Sequence, residues 1–310
     1  MLNYSTPYLM TPSSPFQLDY TLKCGQLFGV REAGTGYLVG IGQTPVYIAV
    51  FGHQLAIESP SISPPDVPHF FRFDDPVQSL ISLWQNDPIL TDALFTFRGL
   101  RLIRQDPWQC LAGFILSSVS NIPKIETTLE RLALYSRSTL TFRDATIPRF
   151  PSPSELAKMR ETTLRSFGMG FRARYLRAVA KELSTGFPLD LLRTVCYEEA
   201  KDALTALPGI GGKVADCILL FSLDHLEAFP VDVWMHRIIQ TFYFKGHEKS
   251  IAYCSAWGRE RFGPMAGYAQ QYLYTYGRWK LDPQSPFRKG SLAQALLTNF
   301  PTKSRSASCI

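Results

Sequence analysis

Residues 207–217 read LPGIGGKVADC, and residues 230–232 read PVD. Before the first stretch, residues 197–204 (YEEAKDAL) carry a helical pattern, which Pro208 and Gly209 stop: proline removes a backbone donor and glycine accepts positive φ. Gly209, Gly211 and Gly212 leave the turn bare, so the first amides of the next helix can approach an anion closely, a phosphate above all. That helix is predicted from about Lys213 to Leu223, with Val214, Ile218 and Phe221 in its apolar period. Lys213 and Cys217 share another face one turn apart. Asp232, nineteen residues after Lys213, stands where a third helix should begin, followed by Met235, Ile238, Ile239 and Phe242 at helical spacing.

Two chemistries fit this spacing. A lysine at the positive end of a helix loses its proton more easily and becomes an amine nucleophile, with the carboxylate as its electrostatic partner. Equally, the lysine fits a solvated phosphate contact and the aspartate a helix cap.

Composition narrows the partner. The chain of 310 residues has six more Lys and Arg than Asp and Glu, a balance that suits a polyanion. No run approaches the roughly 18 apolar residues of a membrane helix, and the first fifteen residues lack the pattern of a secretory signal, so a cytoplasmic location is expected, or a nuclear one if the source has a nucleus. Six cysteines without a CxxC pair indicate neither a zinc site nor a disulfide framework.

Residues 20–58 are β-branched and aromatic runs cut by glycines, the pattern of short antiparallel strands. Helical patterns follow at 77–84 and 89–97, and after Asp106-Pro107 they continue almost throughout, at 108–119, 125–134, 153–159, 161–167 and 172–183. Strands first and helices after argue for an α+β fold. The boundaries expected are a sheet domain over 1–104, a helical domain over 105–282 and a loose basic tail over 283–310 with a short helix at 292–297.

The stretch 207–243 closely resembles the catalytic core of 8-oxoguanine DNA glycosylases, within the helix-hairpin-helix glycosylase superfamily, with Lys213 and Asp232 at the family's lysine and aspartate. The segments RLIRQDPWQCLAGFILSS (101–118), FGMGFRARY (167–175) and FGPMAGYAQQYLY (262–274) resemble it too, in the family's order. The resemblance implies an N-terminal antiparallel sheet beside helical domains, and an enzyme that flips 8-oxoguanine out of duplex DNA, removes it and cleaves the abasic site through a Schiff base on Lys213. It implies a pocket in which the Gly25 carbonyl of Gly25-Gln26-Leu27-Phe28 tests the lesion's N7 hydrogen, Gln270 reads the pairing edge, and Tyr274 and Cys217 sandwich the base. Phe171 would fill the gap left in the duplex, with Arg172, Asn121 and Lys124 facing the opposite base.

Departures touch that last group. Val119 stands within the family's asparagine run and offers no amide, and Lys124 replaces an arginine and its planar fork. Weaker selection for cytosine opposite the lesion is expected. Trp234 replaces a histidine two residues after the aspartate, with His236 nearby. No cofactor is expected; the hairpin carbonyls can hold a cation, as the family's often do. With only Cys254 and Cys309 in the relevant region, no iron-sulfur cluster is expected. The protein is expected to act as a monomer. The alternatives are a bifunctional glycosylase for another oxidised base and a noncatalytic helix-hairpin-helix DNA-binding protein.

Overall fold

The computed structural model describes residues 7–60, 66–118 and 120–288. Five strands, β1 (Tyr8–Met10), β2 (Arg31–Ala33), β3 (Gly36–Ile41), β4 (Thr44–Phe51) and β5 (Gln54–Glu58), form an antiparallel sheet in the order β1-β5-β4-β3-β2. Its turns use glycine where φ is positive, at Gly34, Gly42 and Gly52, as the spacing of glycines predicted. The buried side of the sheet, with Val39, Ile48 and Ile57, packs against α1 (Leu18–Lys23) and α2 (Val67–Phe70).

Helices follow: α3 (Val77–Leu83), α4 (Pro88–Thr96), α5 (Pro107–Ser117) and α6 (Ile122–Ser136). Asp87, Asp106 and Asn121 each accept a hydrogen bond from a backbone amide of the first turn, and proline stands at the start of each of these three helices. A hairpin of β6 (Thr139–Phe142) and β7 (Ala145–Pro148) then interrupts the expected run of helices. It turns at Arg143, whose φ is +52°, and lays Phe142 and Ile147 against Leu38 on the outer face of the sheet. Its β-branched and aromatic residues satisfy a sheet better than a helix.

The remaining helices are α7 (Pro153–Lys158), α8 (Glu161–Leu164), α9 (Arg172–Ser184), α10 (Tyr197–Thr205), α11 (Gly212–Ser222), α12 (Val233–Phe242), α13 (Ile251–Phe262) and α14 (Ala266–Leu281). The helix expected over 161–167 is shorter: α8 gives way at Arg165–Met169 to a widened turn containing Gly168 at φ +95°.

Packing does not divide at residue 104. Leu80, Trp84, Leu90 and Phe97 of the earlier segment belong to the same buried core as Leu220, Tyr268 and Leu273 of the later one. Asp87 also receives Arg261 of α13 at 2.8 Å and the Tyr243 hydroxyl at 3.1 Å. Each fully buried aromatic or leucine of this kind stabilises by about 1.5–3 kcal/mol, so α3 and α4 are structural parts of the helical body. The tail also starts later than expected: Phe287 is buried against Tyr20 and Phe97, and the Arg288 guanidinium donates to the Lys280 carbonyl at 2.6 Å. The expected helix at 292–297 and Cys309 lie outside the described residues.

A buried polar seam joins sheet and helices. Gln26 donates to the carbonyls of Thr21 (2.9 Å) and Arg101 (2.8 Å) and accepts from the Ile103 amide (3.0 Å). Arg72 and Arg104 both reach Asp224, just beyond α11, at 2.6 and 2.9 Å. Burial pushes the Asp224 carboxyl up, but Arg72, Arg104 and Arg193 outweigh it and hold the group below its ordinary range.

Candidate active site

α10 and α11 form two arms joined by the glycine turn. Gly209 has φ +79°, and a β-carbon there would lie 2.3 Å from Cγ of Tyr175, so this position takes no side chain. Gly211 caps α11 and Gly212 begins it; both are exposed, and a β-carbon on Gly211 would meet nothing. The first amides of α11 are therefore open to an anion. Behind the turn, Asp216 is buried and accepts from the Tyr197 hydroxyl (2.6 Å), from Lys201 (2.9 Å) and from Ser255 (3.2 Å), which locks α10, α11 and α13 together.

Lys213 is the second residue of α11 and is half-buried. Its amine donates to Ser117 Oγ at 3.1 Å and lies 5.2 Å from the centre of the Phe114 ring. Phe114 in turn packs against Phe28, whose ring also fills the space a side chain at Gly113 would need. The lysine is thus tied to the end of α5 and, through two rings, to the Gly25–Phe28 loop. Gly25 itself is at φ +90°, next to the clamped Gln26, so the strand of backbone carrying its carbonyl is fixed.

Asp232 caps α12, accepting from the Met235 amide through Oδ1 at 2.7 Å. The cap uses one oxygen of the two. Cys217 lies within reach of both this carboxylate and the lysine, and Tyr274 within reach of the carboxylate. Burial pushes the Cys217 thiol up to about 12; the Lys213 charge opposes the shift, while Asp216 and Asp232 reinforce it. The thiol is accordingly neutral near pH 7, a polarisable wall. The Tyr274 hydroxyl is raised first by burial and then by Asp232, against the opposing charge of Arg278. Gln270, one turn before Tyr274 on α14, is buried, and its Oε1 has no hydrogen-bond partner among the described residues. An unpaired buried carbonyl costs about 1–3 kcal/mol, a cost that a ligand with a donor at this place removes. An amine, a carboxylate, a thiol, an aromatic ring and an amide with a spare acceptor suit attack on a planar heterocycle's attached carbon.

The sequence profile of HhH-GPD superfamily base excision DNA repair proteins matches residues 112–254, and that of the 8-oxoguanine DNA glycosylase N-terminal domain matches residues 64–111. A probable N-glycosylase/DNA lyase of Methanothermobacter thermautotrophicus is 32% identical over 212 residues, 62% of this chain and 68% of the relative. The chain belongs to the 8-oxoguanine DNA glycosylase/lyase family. The solved structure of MBOgg1 in complex with a low-affinity DNA ligand superimposes with a TM-score of 0.84 at 30% identity, covering 89% of this chain and 96% of that one. The Clostridium acetobutylicum 8-oxoguanine glycosylase/lyase, in complex with double-stranded DNA containing cytosine opposite 8-oxoguanine, gives 0.80 at 26% identity, covering 90% and 99%.

In this glycosylase-family member the second group of expected residues is arranged differently from the first. Phe171 stands at the start of α9 with 49% of its surface exposed, after Gly168 and Gly170 at positive φ. Arg172 is buried, not extended: it donates to the carbonyls of Ser118 and Met169, and burial lowers its affinity for the proton. Its guanidinium lies 5.0 Å from the Phe171 ring centre, so it ties Phe171 to the loop after α5. Asn121 caps α6 by accepting from the Lys124 amide at 3.0 Å, and both side chains are exposed. Val119 lies outside the described residues. His236 is used within the fold, with Nε2 2.6 Å from the Lys249 carbonyl, and Trp234 lies under Arg237 and Arg278.

Three contributors were not picked out from the sequence: Ser117 as the lysine's partner, Gln26 as the clamp on the Gly25 loop, and Asp216 as the lock behind the hairpin. Ser117 and Gln26 lie inside quoted motifs, but their roles depend on chain segments 96 and 75 residues away.

Proposed function

We propose that this chain is a bifunctional DNA glycosylase and abasic-site lyase that removes 8-oxoguanine from duplex DNA. What supports the reading is that Lys213, in the first turn of α11, and Asp232, the cap of α12, both lie close enough to act on the Cys217 thiol, while Asp232 also acts on Tyr274. DNA binds through the hairpin amides and the first turn of α11, while Phe171 occupies the space left by the extruded nucleotide. The lesion stacks between Cys217 and Tyr274, Gln270 meets its pairing edge, and the Gly25 carbonyl accepts the N7 hydrogen that guanine lacks.

Lys213, after giving up its proton to solvent, attacks C1′ as the bond to the base breaks, and the base leaves with the bonding electron pair. Asp232, through the oxygen not engaged in the cap, stabilises the positive charge that grows on the sugar and takes a proton from the attached amine. The proton taken by Asp232 passes to O4′ as the C1′–O4′ bond breaks and the nitrogen lone pair forms the Schiff base, and loss of a proton from C2′ then expels the 3′ phosphate by β-elimination. With no base-reading amide at Val119 and a point charge at Lys124, selection for cytosine opposite the lesion is weak.

Borohydride trapping on an 8-oxoguanine duplex tests the assignment. Wild type is expected to form a covalent adduct, and Lys213→Gln none; an adduct with the variant, or none with wild type, rejects the reading. A noncatalytic hairpin protein would bind the duplex and release no base.

A further inference from the structure

Arg278 follows Tyr274 by one turn of α14 and lies between two rings from different helices. Its guanidinium carbon is 5.4 Å from the centre of the Trp234 ring, at the start of α12, and 5.8 Å from that of Tyr274. Asp282, one turn further on, accepts from Nε at 3.1 Å and also from Nη2, and its own amide closes α14. Asp282 is buried, so the cation is anchored on a carboxylate held within the fold. The Tyr274 hydroxyl, which a phenylalanine would not have, lies within the influence of the same guanidinium, whose charge opposes the rise that burial gives it. A planar cation can stack on two rings and use its edge for a carboxylate at once; an ammonium cannot.

We propose that Arg278 is a positioning residue for base excision: clamped between Trp234 and Tyr274 and anchored by Asp282, it fixes the Tyr274 ring as the wall of the base slot. The inference rests on the glycosylase reading above and adds to it two residues, Trp234 and Arg278, that need not touch the lesion. A ring already held in place loses no freedom when a base enters, so the clamp favours the step in which the base is seated and released. Cleavage of a preformed abasic site has no base to seat and depends on the clamp less.

Single-turnover excision of 8-oxoguanine, measured across enzyme concentrations, separates the limiting rate from half-saturation; cleavage of a preformed abasic site is measured beside it. Arg278→Met is expected to lower the limiting excision rate about tenfold, or about 1.4 kcal/mol, and the ratio of excision to abasic-site cleavage at least fivefold. Trp234→Leu should lower the same ratio, and Arg278→Lys should restore it only in part. Excision by Arg278→Met within twofold of wild type overturns the inference. So does a parallel fall of both reactions together with the melting temperature, which would make Arg278 and Asp282 a stabilising pair only. If wild type releases no 8-oxoguanine, the parent reading falls and this one with it; if wild type is active and Arg278→Met matches it, this one falls alone.

Discussion

Lys213, Cys217, Asp232, Gln270 and Tyr274 come from three helices packed into one core, whereas Phe171, Asn121 and Lys124 stand on helix starts at the surface. The first group is fixed by contacts that exist before any ligand arrives, such as the Ser117 hydroxyl on Lys213 and the Met235 amide on Asp232. The second is shaped by caps and glycine turns and has room to move. Chemistry that needs reacting atoms placed closely belongs on the first kind of support, and adjustment to a distorted duplex on the second. Substitutions on the two sides should therefore fail in different ways.

The largest effect short of removing the lysine is expected from Asp232→Asn. Asparagine caps a helix as well as aspartate does, so the fold and α12 should keep their stability, while base release slows by about a hundredfold or more through loss of the charge. Duplex binding, measured by fluorescence anisotropy, should remain close to wild type. An equal loss of binding and excision would show that the cap alone was at stake and would leave Asp232 a structural member of the packed group.

On the surface side, Phe171→Ala should leave the melting temperature nearly unchanged, because about half of the ring is already in water. Excision should fall about tenfold, by weaker extrusion, as the unstacking cost of a few kcal/mol is no longer partly offset. A 2-aminopurine reporter beside the lesion distinguishes the two explanations: lost extrusion lowers its signal, whereas damage to the slot leaves it intact.

How far each side can be read from the residues follows from the same contrast. The hairpin, α11 and the Asp232 cap are local in sequence, built from a proline, three glycines and a capping side chain, and their helices lie within two residues of the expected bounds. α14 escaped periodicity because residues 266–273 are buried on every side, so no polar stripe marks a helix there. β6 and β7 escaped because two four-residue runs inside a helical region look like a loop until Leu38 is seen beneath them. For Arg172 the family motif gave a role, yet its inward turn depends on the Ser118 carbonyl, 54 residues away, a contact that no local pattern encodes.

Asp224 tests whether the packed side stands on the helical body alone, since it binds Arg72 and Arg104 of the sheet side. Its carboxyl lies below the ordinary range in the folded chain. The stabilisation is therefore fully present above the unfolded value, near pH 4, and is lost as pH falls through the lower folded value. Asp224→Asn should cost about 1–3 kcal/mol at pH 7, and thermal unfolding curves for variant and wild type should begin to approach each other below about pH 4 and meet only below the folded value. A gap that persists at low pH would mean that packing, not charge, joins the two parts.

The smallest effect is expected from Lys124→Arg, and it bears on the surface side alone. Lys124 is exposed at the start of α6, where its backbone amide donates to Asn121. An ammonium meets a base edge as a single point, so it gives little preference among partner bases; a guanidinium meets two acceptors in a plane. The variant should raise the ratio of excision opposite cytosine to excision opposite adenine two- to threefold, less than the full value of about 1–3 kcal/mol for a well-formed bidentate contact, because Arg172 remains turned inward. Absolute excision opposite cytosine should change little. If the ratio does not move, choice of the opposite base lies with the inward arginine, and Arg172→Lys, which loosens its hold on Ser118, becomes the substitution that shifts it.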